Sequence, residues 1–168
     1  MKIVSHASSG IVPAGASAQR ESIAEEIAVV NRLKDPSAQI AGYEKILSGS
    51  PEGMLSGDEI ADVHWNKALA HTEESEKAFN DARQPVTAHR HLEMAIEHME
   101  SAKALYGSAD NREAAEQQID QISGSKEKVI SFLEGLVAIP VVQERIEQLI
   151  GVEPQPLEVY QSGRHPHR

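Results

Sequence analysis

The stretch from Val86 to Tyr106 constrains the fold more than any other part of the sequence. Ala88, Leu92, Ala95, Ile96, Met99 and Ala102 fall at i, i+3, i+4 spacing, the period of a helix with one apolar stripe. Met94 and Leu105 widen that stripe, as on a helix packed against neighbours on two sides. Alanine recurs along it, and the rest of the chain shares the habit. Among 168 residues there are one Trp, three Tyr and two Phe, so Ala, Ile, Leu and Val must fill most of the interior. Helices packed closely through Ala can do this, whereas a β-sandwich wants more aromatic and β-branched side chains. The fold class is therefore all-α, and the length suits one domain with a modest core.

Helix-breaking residues divide the chain into segments of helical length. Residues 1–16 are rich in Ser, Gly and Ala and read as a flexible arm. A first helix is expected from Ser17 to Lys34, with Ile23, Ile27, Val30 and Leu33 on one face. Asp35-Pro36 ends it and starts a second, Asp as N-cap and Pro at the first helical position. That helix carries Ile40, Tyr43, Ile46 and Leu47 and meets Ser48-Gly49-Ser50-Pro51. A third runs from near Asp58 to Arg83, its stretch Thr72–Lys77 polar all round and so expected in solvent. Gln84-Pro85 separates it from the Val86–Tyr106 helix. Asp110 with Glu113 resembles a capping box opening a polar helix to Ile122, and Ser123-Gly124-Ser125 is read as a break. Ser125 then caps an apolar helix with Val129, Ile130, Phe132, Leu133, Leu136 and Val137, and Pro140 opens a last one closed by Gly151. The expectation is about six to seven helices over residues 17–151, with a disordered tail over 152–168.

Charge and composition exclude several classes of function. The formal net charge of −10 opposes binding to nucleic acid and to anionic membranes, and keeps a protein soluble. No apolar run approaches the ~20 residues that span a bilayer. Ala16-Ser17-Ala18 has the form of a signal-cleavage site, but the preceding SHASSGIVPAG is too polar and too broken for a signal core. No export signal is expected. The absence of cysteine removes disulfides, thiolate metal sites and cysteine nucleophiles, and suits a cytoplasmic protein. No G-x-S-x-G, G-x-x-x-x-G-K-[ST] or G-x-G-x-x-G motif occurs, so an enzyme is not expected and no cofactor is implied.

Two parts of the sequence resemble tetratricopeptide repeats, helical hairpins of about 34 residues that stack to bury their faces. In QIAGYEKILSGSP (39–51), Tyr43 and Pro51 match the aromatic and the terminal proline of a repeat's second helix, and Ile40 and Leu47 match its aliphatics. Gln39 and Ile46 depart from the pattern, which keeps both places small. VHWNKALAH (63–71) resembles a first helix, with Trp65 on the bulky ridge, Ala68 at the small position and His71 at the aromatic one. HLEMAIEHMESAKALY, ending at Tyr106, resembles the matching second helix, Ala95 and Ala102 small with Met99 between them. Extra residues around Thr72–Thr87 make this unit longer than the family standard, and Arg112–Ala138 reads as one more degenerate pair. The resemblance implies a right-handed stack of antiparallel hairpins with a concave groove for an extended or helical peptide. Bacterial secretion chaperones of that family have similar size and acidity. Unrelated helical bundles produce the same small/large pattern through packing alone.

Histidines are the chemically suggestive residues. His64 and His71 stand i, i+7 on the third helix, and His91 and His98 stand i, i+7 on the fourth. If the hairpin turns at Gln84-Pro85, His71 meets His98, while His64 falls opposite Leu105 and His91 opposite Ala78. Two histidines at one level need carboxylate help from Glu97 or Glu100 to hold a metal, and no Glu-x-x-His motif is present. Interfacial or partly exposed histidine is the expected role; a metal site on His71 and His98 is the alternative. His165-Pro166-His167 reads as part of the tail. Glu25-Glu26, Glu73-Glu74 and Glu76 read as solvated faces. Trp65 is large enough to anchor a partner, though a lone Trp on an Ala-rich helix also suits a core.

These readings converge on a protein–protein interaction scaffold that binds a peptide or helix in a groove, with Tyr43, Trp65, His71 and Met99 as candidate contacts. The alternatives are a helical-bundle metal or cofactor binder using His71 and His98, and a self-assembling homo-oligomer that buries its 129–139 helix in a partner copy.

Overall fold

The computed structural model describes residues 14–137 and 140–150. Among them all regular structure is helical: α1 (Ala14–Arg32), α2 (Pro36–Gly49), α3 (Gly57–Asn80), α4 (Pro85–Leu105), α5 (Ala109–Val137) and α6 (Pro140–Ile150). The chain divides into two compact units, Met1–Ile130 and Ser131–Arg168. Helix α1 begins inside the stretch expected as a flexible arm; the remainder of that arm, Gly151 and the tail from Val152 lie outside the described residues.

Local chemistry fixes the helix ends. The Asp35 carboxylate accepts a hydrogen bond from the Ala38 N–H at 3.1 Å, and Pro36 follows at the first helical position, as expected. Helix α3 opens on a full capping box: Ser56 Oγ accepts from the Glu59 N–H at 3.1 Å, and the Glu59 carboxylate accepts from the Ser56 N–H at 2.7 Å. At α5 the cap is Ser108, whose hydroxyl accepts from the Asn111 N–H at 3.2 Å, rather than Asp110.

In the first unit α2 packs between α1 and α3. Ile23 and Val30 of α1, Tyr43 and Ile46 of α2, Leu55 and Val63 make one aliphatic core, with Ile27, Leu47, Met54 and Ile60 around it. Here α1 and α2 come close because Gly42 has no side chain: a Cβ there would lie 2.6 Å from Val30 Cγ2. Between α3 and α4, the most extensively packed pair, the buried residues are mainly alanines. Ala61, Ala68 and Ala78 belong to α3 and Ala88, Ala95 and Ala102 to α4.

Two expectations are overturned. The polar stretch Thr72–Lys77 does not stand free in solvent, for Ser75 is buried between the buried residues His71 and Ala78. A small hydroxyl side chain is compatible with close helix packing, which polarity alone does not reveal. Nor do Ser123-Gly124-Ser125 break α5. Ser125 Oγ donates to the Gln121 carbonyl at 3.3 Å instead of capping a new helix. Ala115, Ile122 and Val129 form one buried stripe through the glycine, which outweighs the ~1 kcal/mol a helical Gly costs. One long helix thus replaces two.

In the second unit the end of α5 and α6 carry Phe132, Val137, Val141, Leu149 and Ile150 at exposed positions. No helix among the described residues is long and apolar enough to cross a membrane.

Candidate functional site

The turn between α3 and α4 sets the register of every residue facing across that seam. Helix α3 stops at Asn80, Arg83 takes a left-handed φ of 51°, and the Gln84 N–H donates to the Ala78 carbonyl at 2.7 Å. The hairpin therefore pivots about Asp81, roughly one helical turn before Gln84-Pro85. His64 Nδ1 lies 3.0 Å from His98 Nδ1, and His71 Nδ1 lies 3.0 Å from His91 Nδ1. His71 also stacks on His98, ring centroids 5.7 Å apart and planes 7° from parallel. The four histidines form a continuous ladder, His64–His98–His71–His91, where the sequence placed only His71 against His98.

Each Nδ1···Nδ1 contact joins one protonated and one bare nitrogen. His71 Nε2 is buried without a hydrogen-bond partner. A buried orphan N–H is rarer than an unmet acceptor, so His71 is assigned the proton on Nδ1, donating to His91, with its Nε2 bare. His91 then carries its hydrogen on Nε2, where its partial exposure admits water. Burial is the main force disfavouring charge on His64, His71 and His98. It lowers the His71 pKa to about 4, helped by His91, His98 and Lys67. It lowers His98 to about 4 as well, helped by Lys67 and His64, and depresses His64, again with Lys67. Lys67 is itself buried and pairs with the exposed Glu44 carboxylate of α2, which opposes these shifts; Lys67 in turn holds Glu44 below the usual carboxylate range.

A metal between His71 and His98 does not fit this geometry. Their rings lie face to face, whereas ligating lone pairs lie in the ring plane. No group of three or more His, Cys, Asp or Glu side chains among the described residues is arranged to hold a metal.

A second feature lies on the other flank of α3. One hollow of about 350 Å³ is lined by Ala24, Ile27 and Asn31 of α1 and by Glu59, Asp62, Val63, Trp65 and Asn66 of α3. Another, of about 320 Å³, is lined by Asp62, Trp65, Tyr106, Asn111 and Ala114. Asp62 and Trp65 belong to both, so the two hollows adjoin along α3 as one grooved flank. Its wall is braced across helices. Tyr106 donates its hydroxyl hydrogen to Asp62 Oδ1 at 2.7 Å and meets the Trp65 ring edge-on at 6.3 Å. Burial, then the bond to Asp62, pushes the Tyr106 phenol pKa upward. Arg112 donates to the Tyr106 and Gly107 carbonyls at 3.0 and 2.9 Å and ties the start of α5 to the end of α4. The groove lining carries two carboxylates, Asp62 and Glu59, the latter bound to Arg20 at 3.0 Å.

The four candidate contacts thus separate. Trp65 is half-buried and lines the groove. Tyr43, His71 and Met99 are almost fully buried and serve packing in this form. Tyr43 reaches the groove only indirectly, by donating to Asn31 Oδ1 at 2.6 Å. Asp62, Asn31, Asn66 and Tyr106 escaped the sequence reading because polar residues on a helix also suit a solvated face. Val129, within the helix expected to self-associate, is buried in the first unit, Phe132 and Val137 are exposed, and residues 138 and 139 lie outside the described residues.

The packed helices are compatible with a helical-repeat fold, and no family model, curated protein or solved structure matches the chain.

Proposed function

We propose that this chain is a protein-interaction module that takes a peptide segment in the groove along α3. The observation that carries the reading is that Trp65 and Asp62 are shared by two adjoining hollows, a trough with an aromatic anchor beside an acidic group. The partner that fits is an extended or helical segment with a basic residue for Asp62 and Glu59 and an apolar residue for Trp65, Ile27 and Val63. The net charge of −10 steers such a partner and repels acidic ones. Residues of α1, α3 and α5 border the trough, with Tyr106 from the end of α4.

Trp65 is the only tryptophan in the sequence, so its emission reports occupancy without a label. A library of short peptides combining Lys or Arg with apolar residues should yield members that shift this emission and bind less tightly as salt rises. Trp65→Ala, followed by calorimetry, should weaken those members by at least about tenfold, the loss of one anchor side chain. Binding that survives Trp65→Ala unchanged, or a library with no binder, defeats the reading.

A further inference from the structure

The histidine ladder stands in the seam between α3 and α4, the most extensively packed helix pair. Around it Leu92 and Met99 of α4 are buried among alanines, each of which removes little more than a methyl group from water. The imidazoles bridge the seam directly, through two Nδ1···Nδ1 contacts of 3.0 Å joined by the His71–His98 stack.

Protons act on this arrangement in two stages. A first proton leaves an N–H···N bridge intact but puts a cation into the seam. On His71 it must enter at Nε2, the buried nitrogen with no partner, creating an orphan N–H and a charge together. A second proton on the same pair removes the acceptor and sets two N–H groups head to head. The charged groups acting on the rings give little relief. Lys67, from α3, repels an added proton; Glu44, from α2, attracts it but is exposed and already engaged by Lys67. The remaining groups acting on the three shifted rings are other rungs of the ladder.

We propose that the ladder is a proton-sensitive latch between α3 and α4, closed while its four imidazoles are neutral and opened by their protonation. The depressed pKa values of His64, His71 and His98 agree with this geometry, because a ring that resists protonation in the closed form is protonated more readily in the open one. Opening also dismantles the trough, since Trp65 comes from α3 and its brace Tyr106 from the end of α4. That consequence rests on the proposed function; the latch does not.

Amide hydrogen exchange of the full chain, without partner and from pH 7.5 to 4.5, tests it. With the intrinsic pH dependence of exchange removed, the opening of α3–α4 amides such as Ala95 and Met99 should rise by up to about tenfold per pH unit for each ring that titrates. Val30 and Ile46, in the aliphatic core, should lose much less protection over the same range. His71→Gln and His98→Gln, which remain polar but do not titrate, should flatten the response; if either fails to fold, the wild-type profile decides. Seam protection that does not change with pH overturns the latch. So does equal loss in seam and core, or an unaltered response in folded glutamine variants.

Discussion

The α1–α2–α3 core and the α3–α4 seam share a helix but are held by opposite means. The first interlocks Ile23, Val30, Tyr43, Ile46, Leu55 and Val63, large side chains that bury much apolar area and carry no charge near neutral pH. The second packs alanines with Leu92 and Met99 of α4 and is bridged by four imidazoles. One face of α3 is thus nearly indifferent to pH and the other sensitive to it. Stability and responsiveness are divided between two sides of one helix, so each can be perturbed alone.

The largest effect should come from the aliphatic side. Tyr43→Ala empties the site of one of the largest fully buried side chains and deletes its bond to Asn31, and should cost about 3–5 kcal/mol in urea unfolding. That loss should be the same at pH 7.5 and pH 5.5, and a strong pH dependence would break the contrast.

Acid comes next. A histidine whose folded pKa lies below its unfolded value binds more protons when unfolded. Its contribution is therefore complete above an unfolded value of about 6.5 and is lost as pH falls from there towards the folded value. For His71 and His98 the folded value is about 4, so the loss runs across that window and levels off beneath it. On the order of 2 kcal/mol per ring is expected, with solvent screening at the partly open His98 included. Urea midpoints from pH 7.5 to 4 check both the sign and the window; stability that rose on acidification would contradict it.

Ala95→Leu probes the closeness of the seam. Ala95 is fully buried, and the larger side chain should force the helices apart at a cost of about 1–3 kcal/mol, read as a lower thermal midpoint. Ring-carbon NMR should then show the His71 and His98 pKa values moving up towards ordinary ones. The smallest effect is assigned to Tyr106→Phe, which removes the bond to Asp62 and should cost about 1 kcal/mol. Its signature is a change in Trp65 emission without a change in helix content by circular dichroism.

Much of the helical segmentation was legible in the residues. The alanine-spaced stripe of Val86–Tyr106, the Asp35-Pro36 start and the Gln84-Pro85 interruption are local signals, and helix formation answers to them. Ser56 and Glu59 carried an equally local signal, a capping box that puts the start of α3 at Gly57. The Ser123-Gly124-Ser125 reading failed because a weak local preference met a buried stripe on both sides of it.

The candidate site was legible only in part. The sequence by itself determined that four histidines would lie in i, i+7 pairs on neighbouring helices, beside alanines that admit close packing. Which histidine meets which was decided by the tertiary structure, through a left-handed Arg83 and a pivot at Asp81. A shift of one helical turn separates an isolated pair from a ladder of four. Periodicity repeats with every turn and therefore fixes faces, whereas register depends on where the chain reverses, and only the folded hairpin specifies that.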